Sequence, residues 1–106
     1  MSFFRFSRQP NIDQGVYTYQ NTPGSLLLDV RTPQEYGQGH IPGSKNLPLQ
    51  AIDRIGLLTN DPHIPLFVYC HSGARSRQAV QTLRDLGYSN INNIGGITAY
   101  SGVVAR

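Results

Sequence analysis

The chain has 106 residues and a formal net charge of +3, with 39% apolar and 14% charged residues. This length predicts a single domain over residues 1–106, and this composition excludes a charge-rich disordered chain or a fibre. No apolar run approaches the roughly 18 residues that a membrane-spanning helix needs. Residues 1–6 lack the hydrophobic segment and cleavage site of a secretory signal, so we expect a cytoplasmic protein with no membrane partner.

The charge and the cysteine count narrow the class of ligand. Nine basic and six acidic residues make the chain mildly positive, which favours a small anionic molecule. The basic residues are scattered apart from Arg75, Arg77 and Arg84, so they do not form the basic stripe typical of nucleic-acid binding. Cys70 is the only cysteine, which excludes an intramolecular disulfide and a cysteine-rich zinc site. Cys70 is therefore an inert buried thiol, a stray surface thiol or a nucleophile.

The N-terminal half of the chain predicts two helices and two strands. Asp13 is expected to cap a short helix that ends near Gln20. Residues 26–30 are apolar on both faces, which is typical of a strand covered on both sides of a sheet. Residues 45–47 predict a further short strand. Residues 49–57 carry apolar side chains at roughly helical spacing and predict a second helix.

The C-terminal half continues this alternation. Residues 66–70 form the most hydrophobic strand, and residues 91–94 predict a weaker one. Between them, apolar and small side chains recur at helical spacing through Leu86, and Gly87 stands where a left-handed residue ends a helix. Strands that alternate with helices predict an α/β fold, with a central parallel sheet flanked by helices. Ligands of such folds bind beyond the carboxyl ends of the strands, where Cys70 is placed.

The residues after Cys70 predict a reactive thiolate. A cysteine acts as a nucleophile only as thiolate, so its pKa must fall below the free value. The helix that follows directs its N-terminal N–H groups back at the loop. The small residues Ser72, Gly73 and Ala74 let successive amides converge on an anion, and Arg75 adds a full positive charge. These features together favour a nucleophile over an inert thiol.

Three stretches of the chain resemble the rhodanese-like sulfurtransferases, in the order of that family. They are residues 70–76 (CHSGARS), residues 29–36 with 39–44 (DVRTPQEY and GHIPGS), and residues 94–100 (IGGITAY). The resemblance covers about residues 11–103 and implies one rhodanese-like domain of the single-domain thiosulfate sulfurtransferase type. Its fold is α/β, with a central parallel sheet and helices on both faces. Ser44 stands where alanine is usual, and Tyr100 where tryptophan is usual.

The resemblance implies an enzyme that moves a sulfane sulfur from a donor such as thiosulfate to a thiophilic acceptor, either cyanide or a thiol. Cys70 would carry the sulfur as a persulfide, and no metal or cofactor is needed because sulfur itself is the group carried. The alternative is a persulfide relay or sulfur-carrier module whose partner protein is the donor or acceptor. A cysteine phosphatase or arsenate reductase is the third possibility. The single cysteine disfavours the reductase, which commonly recruits further thiols.

Loop length separates these possibilities. Four residues lie between Cys70 and Arg75, whereas cysteine phosphatases need one more to wrap a phosphate. Ser76 occupies the position that their arginine would take. The shorter loop makes a smaller cradle, which suits one sulfur atom better than a tetrahedral oxyanion. Within the resemblance, loops of this length go with sulfur transfer and the longer ones with the phosphatase and arsenate reductase relatives.

The remaining loop residues are candidates for substrate binding. His71, Ser72, Gly73, Ala74 and Arg75 would form the loop that holds the substrate. We do not expect His71 to act as a general base, because side chains point outward in a loop whose amides point inward. The hydroxyl groups of Ser72 and Ser76 would either bind the thiolate or cap the helix.

Several polar residues outside the loop are expected to support it. Asp29 and Arg31 end the first long strand and belong to the same rim as Cys70. They form either a rim site for anions or an ion-pair frame for the loops, and we favour the frame. Glu35 and His40 are expected to be scaffolding. His40, His63 and His71 do not have the spacing of metal ligands, so we expect no metal site.

Overall fold

The structure, a computed structural model, describes residues 10–106. In chain order the elements are α1 (Ile12–Gln20), β1 (Leu26–Asp29), α2 (Pro33–Gln38), β2 (Lys45–Asn46), a 3-10 helix (Leu49–Leu57), β3 (Leu66–Cys70), α3 (Ala74–Asp85), β4 (Ile91–Gly96) and a second 3-10 helix (Ile97–Ala99). The prediction that residues 1–6 carry no secretory signal concerns residues that lie outside the described part of the chain. Within residues 10–106, no helix is both long and apolar enough to cross a membrane.

The four strands form one parallel sheet in the order β2-β1-β3-β4. Helix α1 covers one face, over a core that includes Ile12, Val16, Leu27, Phe67 and Tyr69. Helix α3 and the first 3-10 helix cover the other face, over a core that includes Leu28, Ile55, Val68, Val80 and Leu83. The predicted α/β fold is therefore confirmed. Because all strands are parallel, the carboxyl ends of β1, β3 and β4 lie at the same edge of the sheet.

The ends of two helices test the capping predictions. Helix α3 ends as predicted, with Gly87 at φ +104°, where a left-handed conformation favours glycine. The prediction that Asp13 caps α1 is wrong. Asn11 is the N-cap, and its side chain accepts a hydrogen bond from the Gln14 amide. Asp13 lies inside the first turn, where its carboxylate accepts hydrogen bonds from the backbone and hydroxyl of Ser101.

Helix α2 was not predicted, although the sequence carries its signal. Thr32 and Glu35 form a capping box, in which each side chain accepts a hydrogen bond from the other residue's amide, and Pro33 opens the helix. The predicted helix at residues 49–57 is a 3-10 helix with a kink at Ala51. The capping box matters for the site because it fixes the side chain of Glu35.

Strand β4 is longer than predicted and contains a bulge. Its register with β3 shifts between Val68 and Tyr69, so Ile94 is an extra residue on the bulged strand. Gly95 has φ +103°, a conformation that glycine adopts without strain. The shifted register pairs Gly96 with Cys70. The bulge thus brings a glycine directly beside the candidate nucleophile.

Candidate active site

The Cys70 sulfur lies between the end of β3 and the start of α3. Cys70 is the last residue of β3 and is only 1% exposed. The chain turns sharply through Gly73, whose φ is +109°, and α3 begins at the next residue. The Gly73 amide donates a hydrogen bond to Sγ at 2.9 Å, and Oγ of Ser76 lies 3.6 Å from Sγ. The predicted loop and helix terminus therefore do converge on the sulfur.

The polar groups around Sγ lower the pKa of the Cys70 thiol. Burial acts in the opposite direction, because a thiolate loses solvation inside the protein. The hydrogen bond between the sulfur and the Ser76 side chain and those from the amides of Ser76, Gly73 and Ser72 outweigh burial, and the pKa falls below the ordinary cysteine value. The amides and a hydroxyl group thus stabilise the thiolate, as the sequence predicted for a nest at a helix N-terminus.

Asn93 is a site residue that the sequence analysis missed. The buried Ser76 hydroxyl lies 2.8 Å from Oδ1 of Asn93 and 3.0 Å from the Gly73 carbonyl oxygen. The Gly95 amide donates to the same Asn93 oxygen at 3.0 Å, which fixes that oxygen towards Ser76. Asn93 therefore fixes the position of the Ser76 oxygen, 3.6 Å from the sulfur, and accepts the hydroxyl hydrogen in competition with the Gly73 carbonyl oxygen. Its sequence signal was only a polar residue within a short strand.

The end of β4 and the residues that follow it pack against the loop after Cys70. The amide and the hydroxyl group of Thr98 both donate to the His71 carbonyl oxygen, each at 3.2 Å. A Cβ atom on Gly96 would overlap His71 and Ser72. The carbonyl of His71 and the amide of Ser72 belong to one planar peptide and point in opposite directions. Thr98 therefore keeps the carbonyl engaged while the Ser72 amide faces the sulfur.

Arg75 and Glu35 form an ion pair beside the loop. The two guanidinium Nη atoms of Arg75 each donate to one carboxylate oxygen of Glu35, at 2.7 and 3.0 Å. Each side chain is about one-third exposed, at 34% and 30%. The hydrogen bond from Arg75 holds the pKa of Glu35 well below its ordinary value, at about 2. Arg75 was expected to bind substrate and Glu35 to be scaffolding, whereas the structure joins the two side chains in one ion pair.

Asp29 and Arg31 form a closed, buried ion pair. The guanidinium of Arg31 donates three hydrogen bonds to the Asp29 carboxylate at 2.7 to 3.1 Å, and another to the Gly39 carbonyl oxygen at 2.7 Å. Both residues are buried, at 0% and 5% exposure. Burial disfavours the charge of Arg31, but its bonds to Asp29 still raise its pKa. The pair has the geometry of a frame between β1 and the loop after α2, and not of an open anion site.

Removing one partner of this pair is expected to destabilise the protein strongly. Arg31→Ala would leave the Asp29 carboxylate buried without its counter-charge, which costs about 3–5 kcal/mol. Urea unfolding of the variant and the wild type measures this loss. Arg84→Ala is the control, because Arg84 is exposed on α3 and its loss should cost less than about 0.5 kcal/mol. Equal effects of the two variants would contradict the frame.

The histidines do not join the cysteine in a cluster. His71 is exposed, as expected for a side chain that points away from the loop. His40 stacks on Tyr36 with ring centroids 3.7 Å apart, and His63 lies 3.1 Å from the Ser89 hydroxyl. In the part of the chain that the structure describes, no group of three or more His, Cys, Asp or Glu side chains is arranged to hold a metal ion.

The fold and the site together define an α/β protein whose parallel sheet presents one cysteine, a candidate nucleophile, to a helix N-terminus. Comparison with known proteins makes the assignment specific. The family profile described as Rhodanese-like domain matches residues 14–102. The chain therefore belongs to the rhodanese-like family, and the resemblance seen in the sequence is confirmed.

Two curated relatives and one solved structure show the range of similarity. Thiosulfate sulfurtransferase PspE of Escherichia coli (strain K12) is 38% identical over 71 residues, which are 66% of this chain and 68% of PspE. A sulfurtransferase of Allochromatium vinosum is 41% identical over 83 residues, 76% of each chain. A rhodanese with anions from E. coli superimposes with a TM-score of 0.72 at 32% identity, over 77% of this chain and 98% of its own. These relatives support a general sulfurtransferase role.

Proposed function

We propose that this protein is a sulfurtransferase of the thiosulfate type, in which Cys70 carries the transferred sulfur as a persulfide. The observation that supports this most is the position of Sγ among the loop amides and the Ser76 hydroxyl, which lowers the pKa of the thiol. Because Cys70 is only 1% exposed, the site suits a donor that presents a terminal sulfur atom. Thiosulfate and persulfides both have such an atom.

The proposed reaction consists of two displacements. The Cys70 thiolate attacks the terminal sulfur of thiosulfate, a new S–S bond forms, and the bond to the sulfonate sulfur breaks. Sulfite leaves with the electron pair, and Cys70 becomes a persulfide anion. Cyanide or a thiolate then attacks the outer sulfur, the S–S bond to Cys70 breaks, and Sγ takes the electron pair as the free thiolate. The product is thiocyanate when cyanide attacks, and the acceptor's persulfide when a thiolate attacks. Ping-pong kinetics follow from this division.

The surroundings of Sγ suit the persulfide as well as the thiolate. Both species are anions, so the amides of Ser72, Gly73 and Ser76 that stabilise one also stabilise the other. The E. coli rhodanese that resembles this chain was solved with anions, which supports an anionic donor here. Small molecules, or a protein persulfide, would serve as donor, and a thiol or cyanide as acceptor.

Intact-mass measurement tests the proposal directly. After incubation with thiosulfate, the protein should gain one sulfur atom, about 32 Da, as a covalent intermediate. Cyanide should remove that mass and release thiocyanate. A protein that turns over thiosulfate without the added mass would overturn the persulfide mechanism.

The single-domain organisation and the cytoplasmic location remain predictions. Limited proteolysis tests the first, and cell fractionation of the natural protein tests the second.

Arg75 is expected to assist the anionic donor more than Arg77 does. Each Nη of Arg75 gives one N–H to Glu35, which leaves further N–H groups for an oxyanion. A charge-assisted contact is worth roughly 1.5–3 kcal/mol, so Arg75→Ala should lower kcat/KM for thiosulfate about 10- to 100-fold.

The control for this prediction is Arg77→Ala. Arg77 is exposed on the next part of α3, and its loss should change kcat/KM much less. Arg75→Ala should also slow the alkylation of Cys70 by iodoacetamide near neutral pH, because a nearby positive charge favours the thiolate. An equal or larger loss in Arg77→Ala would show that the anion-binding role belongs to the other arginine.

A further inference from the structure

We propose that Glu35 determines donor specificity: as a fixed counter-charge on Arg75, it disfavours dianionic donors such as thiosulfate relative to persulfides. This inference rests on the proposed sulfur transfer and names the donor class that the same site prefers. A persulfide carries at most one negative charge on its reacting group, whereas thiosulfate carries two. Thiosulfate would then remain a donor, but persulfides of a thiol or of another protein would donate faster. In that transfer the Cys70 thiolate attacks the donor's outer sulfur, the donor's S–S bond breaks, and the donor's thiolate leaves with the electron pair.

The geometry of the Glu35–Arg75 pair separates it from a casual surface ion pair. Both carboxylate oxygens of Glu35 are used, one on each Nη of Arg75. The same carboxylate accepts the Thr32 amide in the capping box of α2, so the helix terminus fixes its position. Arg75 is in the first turn of α3 and ends the loop that begins at Cys70. The pair therefore joins two rigid helix termini beside the sulfur.

The charges at this edge of the sheet largely cancel. Arg31 is committed to Asp29, and Arg75 is committed to Glu35. The pKa of Glu35 is about 2, so its carboxylate is ionised throughout the neutral pH range. The pKa of Arg75 is raised chiefly by the hydrogen bonds that it donates to Glu35, and to a smaller extent by the charge of Cys70, which lies at the other end of the same short loop. A second negative charge entering here meets the Glu35 carboxylate.

A dianionic donor therefore has two ways to use Arg75, and both cost free energy. It can share the guanidinium with Glu35, in which case two anions repel each other at short distance. It can instead displace Glu35, which breaks two charge-assisted hydrogen bonds. A persulfide depends less on the positive charge of Arg75, because the loop amides alone can stabilise its single negative charge. The pair thus penalises donors according to their charge.

The variant that tests this inference is Glu35→Gln. Glutamine keeps the shape of glutamate and still accepts the Thr32 amide, so the capping box survives. Second-order rates of Cys70 persulfide formation would be followed by intact mass with two donors. One is thiosulfate, and the other is the persulfide of an N-acetylated, methyl-esterified cysteine, whose only charge lies on the persulfide group.

The expected result is a change in the ratio of these two rates. Glu35→Gln should raise the thiosulfate rate about three- to tenfold relative to the persulfide rate, because only the dianion loses a strong repulsion. Using the ratio removes any effect of Glu35 on the pKa of Cys70, which changes both rates. Asp85→Asn is the matched control, since it removes one negative charge at the far end of α3 and should leave the ratio unchanged. An unchanged or falling ratio in Glu35→Gln overturns the inference.

A second measurement keeps the inference apart from the proposed function. Sulfate is an unreactive dianion, and its protection of Cys70 against iodoacetamide reports anion binding without sulfur transfer. If the wild type gains no sulfur from either donor, the proposed function fails. Protection of Cys70 by sulfate then still tests whether Glu35 weakens the binding of a dianion. Glu35→Gln should then need about three- to tenfold less sulfate for half-protection. Equal sulfate concentrations for the two proteins would overturn the inference.

Discussion

Cys70→Ser is expected to abolish sulfur transfer while the fold remains intact. A serine hydroxyl cannot form a transferable persulfide, so thiosulfate:cyanide activity should fall to background, and no mass should be gained. The fold should survive because serine is close to cysteine in size and can accept the hydrogen bond from the Gly73 amide. Circular dichroism and urea unfolding would establish that the variant is folded, and steady-state assays would measure the activity.

Cys70→Ala is the companion variant, because it removes the sulfur without adding a hydroxyl group. Both variants should be inactive to the same degree. Activity that survives in either of them would rule out a covalent role for Cys70. A variant that is inactive and also unfolded would be uninformative alone, which is why the two substitutions are compared for stability before their rates are interpreted.

Gly96→Ala is expected to lower kcat/KM by about 100-fold or more, because a misplacement of roughly 1 Å in a catalytic loop has an effect of this size. Gly96 lies beside Cys70 in the sheet, and a Cβ atom there would overlap the backbone of His71 and Ser72. The loop would have to move, and its amides would no longer converge on Sγ. Alkylation of Cys70 near neutral pH should also be slower, since the pKa of the thiol would rise.

Gly37→Ala provides the matched control. Among residues 10–106, no heavy atom outside the adjacent residues and the backbone of its own helix lies within 4 Å of the position that its Cβ would take, and its φ lies outside the left-handed range. Its activity should stay near that of the wild type, with a stability gain of about 0.4–1 kcal/mol. If Gly96→Ala keeps wild-type kcat/KM, then β4 does not hold the catalytic loop in the way we describe.

The sequence identified the parts of the site that lie close together along the chain. Residues 70–76 already contained the thiol, the small residues of the nest and the start of α3, and their order is enough to predict amides around a sulfur. Apolar runs and helical spacing are also local, so the four strands and the helices α1 and α3 were predicted with only small differences in their bounds. The signal for α2 was equally local, in the capping box of Thr32 and Glu35, although α2 was not among the predicted elements.

What the sequence could not show depends on contacts between distant residues. Glu35 and Arg75 are 40 positions apart, and Thr98 contacts His71 across 27. No local pattern links such residues, because their meeting depends on the register and order of parallel strands. The bulge at Ile94 sets that register and brings Gly96 beside Cys70. The sequence by itself therefore determined which residue is the candidate nucleophile, whereas only the packed sheet decided which side chains surround its sulfur and which carboxylate balances Arg75.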